Sequence, residues 1–204
     1  MKNTRILAAC VAAAALMASF ALAYALVKPA PPRFESTDIS GVDWGRDFHL
    51  TGDDGRPRQL AEFRGKVVAV YFGYTNCPDE CPTTLASLAR AIDELGTDGL
   101  KVQGLFITVD PERDTQKVLA KYVRSFSDRF VGLYGDVAAT RRTCDDFKVL
   151  AEVGPARHDG AHAIDHTDLV YVFDAKGRLR LSIHGNAAAD SIAHDLRLLV
   201  RESA

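Results

Sequence analysis

Two apolar runs constrain the fold of this chain more than any other feature. KVVAVYFGY (66–74) and LKVQGLFITVD (100–110) are rich in β-branched and aromatic residues, with little polar alternation. Strands buried on both faces read this way. Between them, PTTLASLARAIDELG sets Leu85, Leu88, Ala89, Ile92 and Leu95 at helical spacing. Pro82 suits the first helical turn and Gly96 the stop. A buried strand, a helix and a second buried strand imply a parallel βαβ unit with helices covering the sheet.

The rest of the chain fits around that unit. DFHLTGDDGRPRQL reads as a hairpin turning at Asp54-Gly55. TQKVLAKYVRSF reads as an amphipathic helix, RFVGLYGD as a short strand or turn, and AATRRTCDDFKVL as another helix. HTDLVYVFDAKGRLRLSIHG gives two strands about a turn at Asp174 to Gly177, and AADSIAHDLRLLVRES closes the chain as a helix. The order is hairpin, β, α, β, α, α, ββ, α. That predicts an α/β protein with a thioredoxin-like fold: a mixed central sheet flanked by helices, with an N-terminal hairpin. The loop after the first central strand lies at its carboxyl end, where open α/β sheets place their sites. FGYTNCPDECP fills that loop.

The front of the chain predicts an exported protein. Lys2 and Arg5 precede an uncharged run from Ile6 to Val27, 22 residues long. As a helix it would reach roughly 33 Å, enough to cross a bilayer core. The basic front end favours an exported C-terminal side. Residues 1–27 are thus expected to be a membrane anchor, with a cleaved signal ending at Ala21-Leu22-Ala23 as the alternative. Residues 28–40 read as a Pro-rich linker, and 41–204 as the folded domain. The expected place of that domain is the exported side of a membrane, the bacterial periplasm. Net charge of −2 and a pI of about 6.3 give no footing for a nucleic-acid partner. No Gly-rich phosphate loop is present.

Outside the cytosol, close thiols tend to oxidise unless kept reduced. Cys10 reads as an ordinary residue of the apolar segment, and Cys144 as a small buried hydrophobe on a helix. Cys77 and Cys81 remain. Their i, i+4 spacing puts both sulfurs on one side of a helical turn, close enough for a disulfide or a shared metal ion. Redox enzymes of this fold use C-x-x-C, one residue shorter. Asp79 and Glu80, between the sulfurs, disfavour thiolate unless a cation is bound. Before the late strand, where such enzymes carry a proline, this chain has His166. An imidazole there could complete a site of two sulfurs and one nitrogen.

With GKVVAVYFGYTNCPDECPTTL, TVDPERDT, KYVRSF, VGLYG and DHTDLVYVFDAKG, from about residue 41 to 180, the chain resembles the SCO/SenC family of copper-binding proteins that assist assembly of cytochrome c oxidase. CPxxCP after a strand, DPERDT downstream and DHT before a late strand are together a specific signature. The resemblance implies Cys77, Cys81 and His166 as copper ligands, for Cu(I), Cu(II) or both. Thiolates suit Cu(I), and imidazole accepts either state. It further implies a metallochaperone for the CuA centre of oxidase subunit II, working with other copper chaperones. A membrane-anchored thiol–disulfide reductase keeping the CuA cysteines reduced is the alternative, as is a copper or redox sensor. As a chaperone the protein would not be an enzyme; as a reductase Cys77 and Cys81 would be its redox pair. A peroxidase is disfavoured, because Thr75-x-Cys77 is one residue short of that family's T-x-x-C.

Several residues are expected around this site. Asp110, Arg113 and Asp114 read as loop-capping groups with an ion pair, and Asp110 as a candidate support for the metal ligands. Tyr74 and Pro78 are expected to shape the loop. Relatives often carry histidine where this chain has Asn76. In RHDGAHAIDH, His158 and His162 read as solvated loop residues or an auxiliary metal-capture pair. His49, His184 and His194 show no clustering and read as structural or surface residues.

Overall fold

The computed structural model describes residues 13–20, 33–156 and 162–203. The chain divides into two units, Met1–Arg33 and Phe34–Ala204. In the first, residues 13–20 are helical (α1), and Leu16, Met17 and Phe20 are exposed. Cys10 and most of the expected membrane segment lie outside the described residues. Among the described residues, no helix is long and apolar enough to cross a membrane.

The second unit is built on the two apolar runs. They form β4 (Val67–Gly73) and β5 (Val102–Thr108), paired in parallel from Val67↔Val102 to Gly73↔Thr108. All seven residues of β4 are buried, as an unalternated strand requires. β6 (Phe130–Tyr134) joins β5 in parallel, so RFVGLYGD is a full strand of the sheet. On the other side of β4, β9 (Leu169–Phe173) runs antiparallel, followed by β10 (Leu179–His184) and β1 (Thr37–Asp38). The expected hairpin, β2 (His49–Gly52) and β3 (Pro57–Gln59), closes the far edge through β2 and β6. The eight-stranded order is β1-β10-β9-β4-β5-β6-β2-β3. A mixed sheet flanked by helices is the thioredoxin-like architecture expected from the sequence.

Four helices cover it: α2 (Glu80–Glu94), α3 (Gln116–Arg124), α4 (Val137–Asp146) and α5 (Ala189–Glu202). α2 packs on α5, α3 on β6 and α4 near β2. α2 starts at Glu80, two residues before Pro82. Pro82 is therefore inside the first turn, where its missing N–H takes nothing from the helix. This start places Cys81 within the helix. α3 is capped by Thr115, whose hydroxyl accepts from the Val118 N–H at 3.4 Å.

Two features were not expected. Residues 151–166, to which the sequence assigns no strand, contain β7 (Ala151–Ala156) and β8 (His162–His166), a separate antiparallel pair. Residues 34–40, read from composition as linker, are held on the domain. Phe34 packs against the core, with the Arg180 guanidinium 5.6 Å above its ring. The Glu35 and Ser36 N–H groups each donate to the fully buried Asp195 carboxylate at 2.9 Å.

Candidate metal centre

The end of β4 and the start of α2 place the cysteines. Gly73 closes β4 because nothing larger fits: a Cβ there would lie 2.8 Å from Cys81 Sγ and 2.9 Å from the Phe106 ring. The chain then turns, with the Cys77 N–H donating to the Tyr74 carbonyl at 3.2 Å. Asp114 holds this turn. Its fully buried carboxylate accepts from the Thr75 N–H at 3.0 Å, the Thr75 hydroxyl at 2.5 Å and the Thr108 hydroxyl at 2.6 Å. It thereby ties the cysteine loop to the end of β5. Cys77 is half-buried and Cys81 fully buried, and the Cys81 N–H donates to Cys77 Sγ at 3.5 Å.

His166 comes from the last position of β8, opposite Ala151. The Thr167 N–H donates to the Leu150 carbonyl and the Leu150 N–H to the Thr167 hydroxyl, both at 3.0 Å. His166 Nδ1 lies 3.2 Å from the Thr167 carbonyl, and Nε2 lies 3.4 Å from Cys81 Sγ. With Nδ1–H donating to that carbonyl, the Nε2 lone pair faces the sulfur. Tyr71 and Tyr74 stand edge-on to the imidazole, their ring centres 6.1 and 6.0 Å away. The ligand atoms of Cys77, Cys81 and His166 all lie within 4.8 Å of one another.

Burial sets the electrostatics. It pushes the Cys81 thiol far above the ordinary thiol range, so the sulfur keeps its proton until a cation replaces it. It also pushes the Tyr71 and Tyr74 phenols up. Two thiols and one imidazole are donors for a soft or borderline metal ion, and the half-exposed side at Cys77 gives it a way in. The residues present therefore fit a copper ion.

The other expected residues fall outside this group of three. Asp110 is nearly buried and forms an ion pair with Arg113, whose guanidinium sits 6.0 Å over the Tyr74 ring. Asp110 thus connects towards His166 through Arg113 and the Tyr74 ring. Asp114, read as a capping group, is the residue that holds the loop. Pro78 is exposed beside Cys77. His162 opens β8, while its side chain and all of His158 lie outside the described residues. Cys144 is buried, its thiol pushed up to about 11 by burial. His49 and His184 are exposed, and His194 is half-buried with Nδ1 3.0 Å from Asp195. Sequence reasoning missed Tyr71, whose hydroxyl donates to Asp168 at 2.9 Å beneath the cysteines. A tyrosine inside an apolar strand carries no signal of that role. Tyr122 also went unnoticed. Its hydroxyl is buried with no hydrogen-bond partner among the described residues, within electrostatic reach of both cysteines and Asp114.

Comparison with known proteins agrees with this geometry. The family model described as SCO1/SenC matches residues 36–201. The zebrafish (Danio rerio) mitochondrial SCO2 homolog is 41% identical over 133 residues, covering 64% of this chain and 48% of the relative. The chain spans roughly half to two thirds of the length of the vertebrate relatives it matches. The structure of Bradyrhizobium japonicum ScoI with copper bound is 35% identical with a TM-score of 0.69, covering 78% of this chain and 98% of that one. The solution structure of apo Sco1 from Thermus thermophilus is 37% identical with a TM-score of 0.75, covering 84% and 99%.

Proposed function

The chain belongs to the SCO1/SenC family, and from that premise we propose that it carries copper for the assembly of cytochrome c oxidase. Its cargo is one copper ion, held by Cys77 Sγ, Cys81 Sγ and His166 Nε2. The observation that carries this reading is the convergence of those three atoms within 4.8 Å. A relative solved with copper bound supports it. Three protein ligands with one side open permit uptake and release by ligand exchange, which a closed four-ligand structural site opposes. The receiving partner is the CuA centre of subunit II, and other copper chaperones supply the ion. Residues 1–27 anchor the protein in a membrane, with the domain on the exported, periplasmic side.

The test is copper titration of the reduced protein and of Cys77→Ser, Cys81→Ser and His166→Ala. Wild type should bind one equivalent. Either serine variant should lose Cu(I) to a competing thiol. His166→Ala should keep some two-coordinate Cu(I) and lose Cu(II) more completely. A second reading, thiol–disulfide reductase, is favoured by the unequal exposure of the two sulfurs. The half-exposed Cys77 would attack a partner disulfide, and the buried Cys81 would resolve the mixed disulfide. If His166→Ala binds both copper states like wild type while the pair still cycles with a thiol donor, the reductase reading replaces the copper one.

A further inference from the structure

Behind the sheet, on the face opposite the cysteines, lies a cavity of about 630 Å³. Alternate residues of β4 face opposite sides. Tyr71 and Gly73 look towards His166 and Cys81, whereas Phe72 packs on Phe147 just after α4, ring centres 5.2 Å apart. The cavity lies between that end of α4 and residues 43–49. The two walls are tied together, because the Gly45 N–H donates to the Asp146 carbonyl at 2.8 Å. Trp44 lines the cavity, half-buried and edge-on to Tyr171 with ring centres 5.6 Å apart. The volume suits a preformed small-molecule site.

Arg46 lines it from one wall, Arg142 and Lys148 from the other. Among the described residues, none of these three side chains has an ion-pair or hydrogen-bond partner. Arg142 and Asp146 are one turn apart on α4 and still do not pair. Lys148 is held there at a cost. α4 ends with the Val149 N–H donating to the Cys144 carbonyl at 2.8 Å, and Lys148 turns left-handed, at φ +56°. Glycine is the usual residue at such a turn, and Lys148 is the single non-glycine with positive φ among the described residues. Of the acids on the walls, Asp47 is committed, its Oδ1 accepting from the Phe48 and Leu60 N–H groups, both at 2.8 Å. Asp43 and Asp146 are exposed and line the same cavity, so acceptors stand beside the cations.

We propose that this cavity binds a small polyhydroxy anion, its phosphate or carboxylate group held by Arg46, Arg142 and Lys148. Arginine forks match two oxygens of either group, and the lysine ammonium adds a point charge. Hydroxyls on the same molecule donate to Asp43 and Asp146, and its carbon skeleton lies against the Trp44 ring. A bare inorganic anion would meet those two carboxylates with no such donors to offer. The site is separate from the metal centre and does not depend on the copper reading.

Trp44 is the chain's one tryptophan, so its fluorescence reports occupancy. The test titrates the whole copper-free protein with glucose 6-phosphate and with gluconate at constant ionic strength, with glucose and inorganic phosphate as controls. One of the two sugar anions, or both, should change the emission saturably, with one molecule bound per chain, and the stronger of the two tells phosphate from carboxylate. Glucose should give no change, and inorganic phosphate should bind at least about tenfold more weakly. Arg142→Ala and Lys148→Gln should each weaken binding by about tenfold, the loss of one charge-assisted hydrogen bond. Lys148→Gly should weaken it as much and also raise Tm, because the left-handed turn suits glycine. That rise separates a lysine kept for a ligand from one kept for the fold. No saturable change with either sugar anion, wild-type binding in Arg142→Ala and Lys148→Gln, or a lower Tm for Lys148→Gly would overturn the proposal.

Discussion

Cys77 and Cys81 are the same residue type in two different surroundings. One faces water in part, and the other is sealed behind Gly73, Phe106 and His166. Reactivity should follow. In the reduced, copper-free protein at pH 8, a small alkylating reagent should modify Cys77 first, and Cys81 and Cys144 only on unfolding. Mass mapping of the modified cysteines checks this, and early labelling of Cys81 would contradict it. The buried thiols also set an alkaline limit. Cys144 titrates near 9 when exposed and at about 11 in the fold, so the folded state holds its proton more tightly. The stability this gives is intact below about pH 9 and is lost as pH rises towards 11. Cys144→Ala should flatten that part of the curve of unfolding free energy against pH.

At the scale of elements, the site depends on two strand ends being held side by side. Asp114 does this, linking Thr75 after β4 to Thr108 at the end of β5. Asp114→Ala would leave three donors without this acceptor, the Thr108 hydroxyl fully buried and the two on Thr75 partly so. It should cost about 3 kcal/mol or more in urea unfolding, and copper binding should weaken with it. A loss below 1 kcal/mol would mean that the loop holds itself. What the sequence revealed at this scale follows from physical cause. β4, β5 and β9 were legible because burial on both faces leaves an unbroken apolar run, and the helices because burial on one face writes a periodicity into them. The β7–β8 pair was not, because Gly154-Pro155 and the polar RHDGAH stretch break any alternation. Asp114 and Asp195 were hidden too, since a buried carboxylate looks like a capping one until its donors are seen. Cys77 and Cys81 announced themselves by spacing, but His166 drew notice only by standing where a proline was expected, and its role came from the family resemblance.

For the molecule as a whole, the core is a continuous apolar cluster built from the strands and helices. Residues 34–204 should therefore unfold cooperatively when copper-free and reduced. A chain beginning at residue 41 should do so less stably, because it lacks β1 and strands the Asp195 carboxylate without its two backbone donors. The expected loss is about 3 kcal/mol, or roughly 6–12 °C in Tm for a domain of this size. Equal melting of the two chains by calorimetry would show that residues 34–40 are only draped on the surface. The Asp195 clamp has a mechanical consequence as well. Tension applied to the domain from its N-terminal side would load β1 and the two Asp195 hydrogen bonds first. The sheet would carry that load at its β1–β10 edge, while the cysteine loop follows β4, two strands further in. If residues 1–27 anchor the chain as proposed, a pull through them would meet this clamp before it met β4, the strand that leads into the cysteine loop.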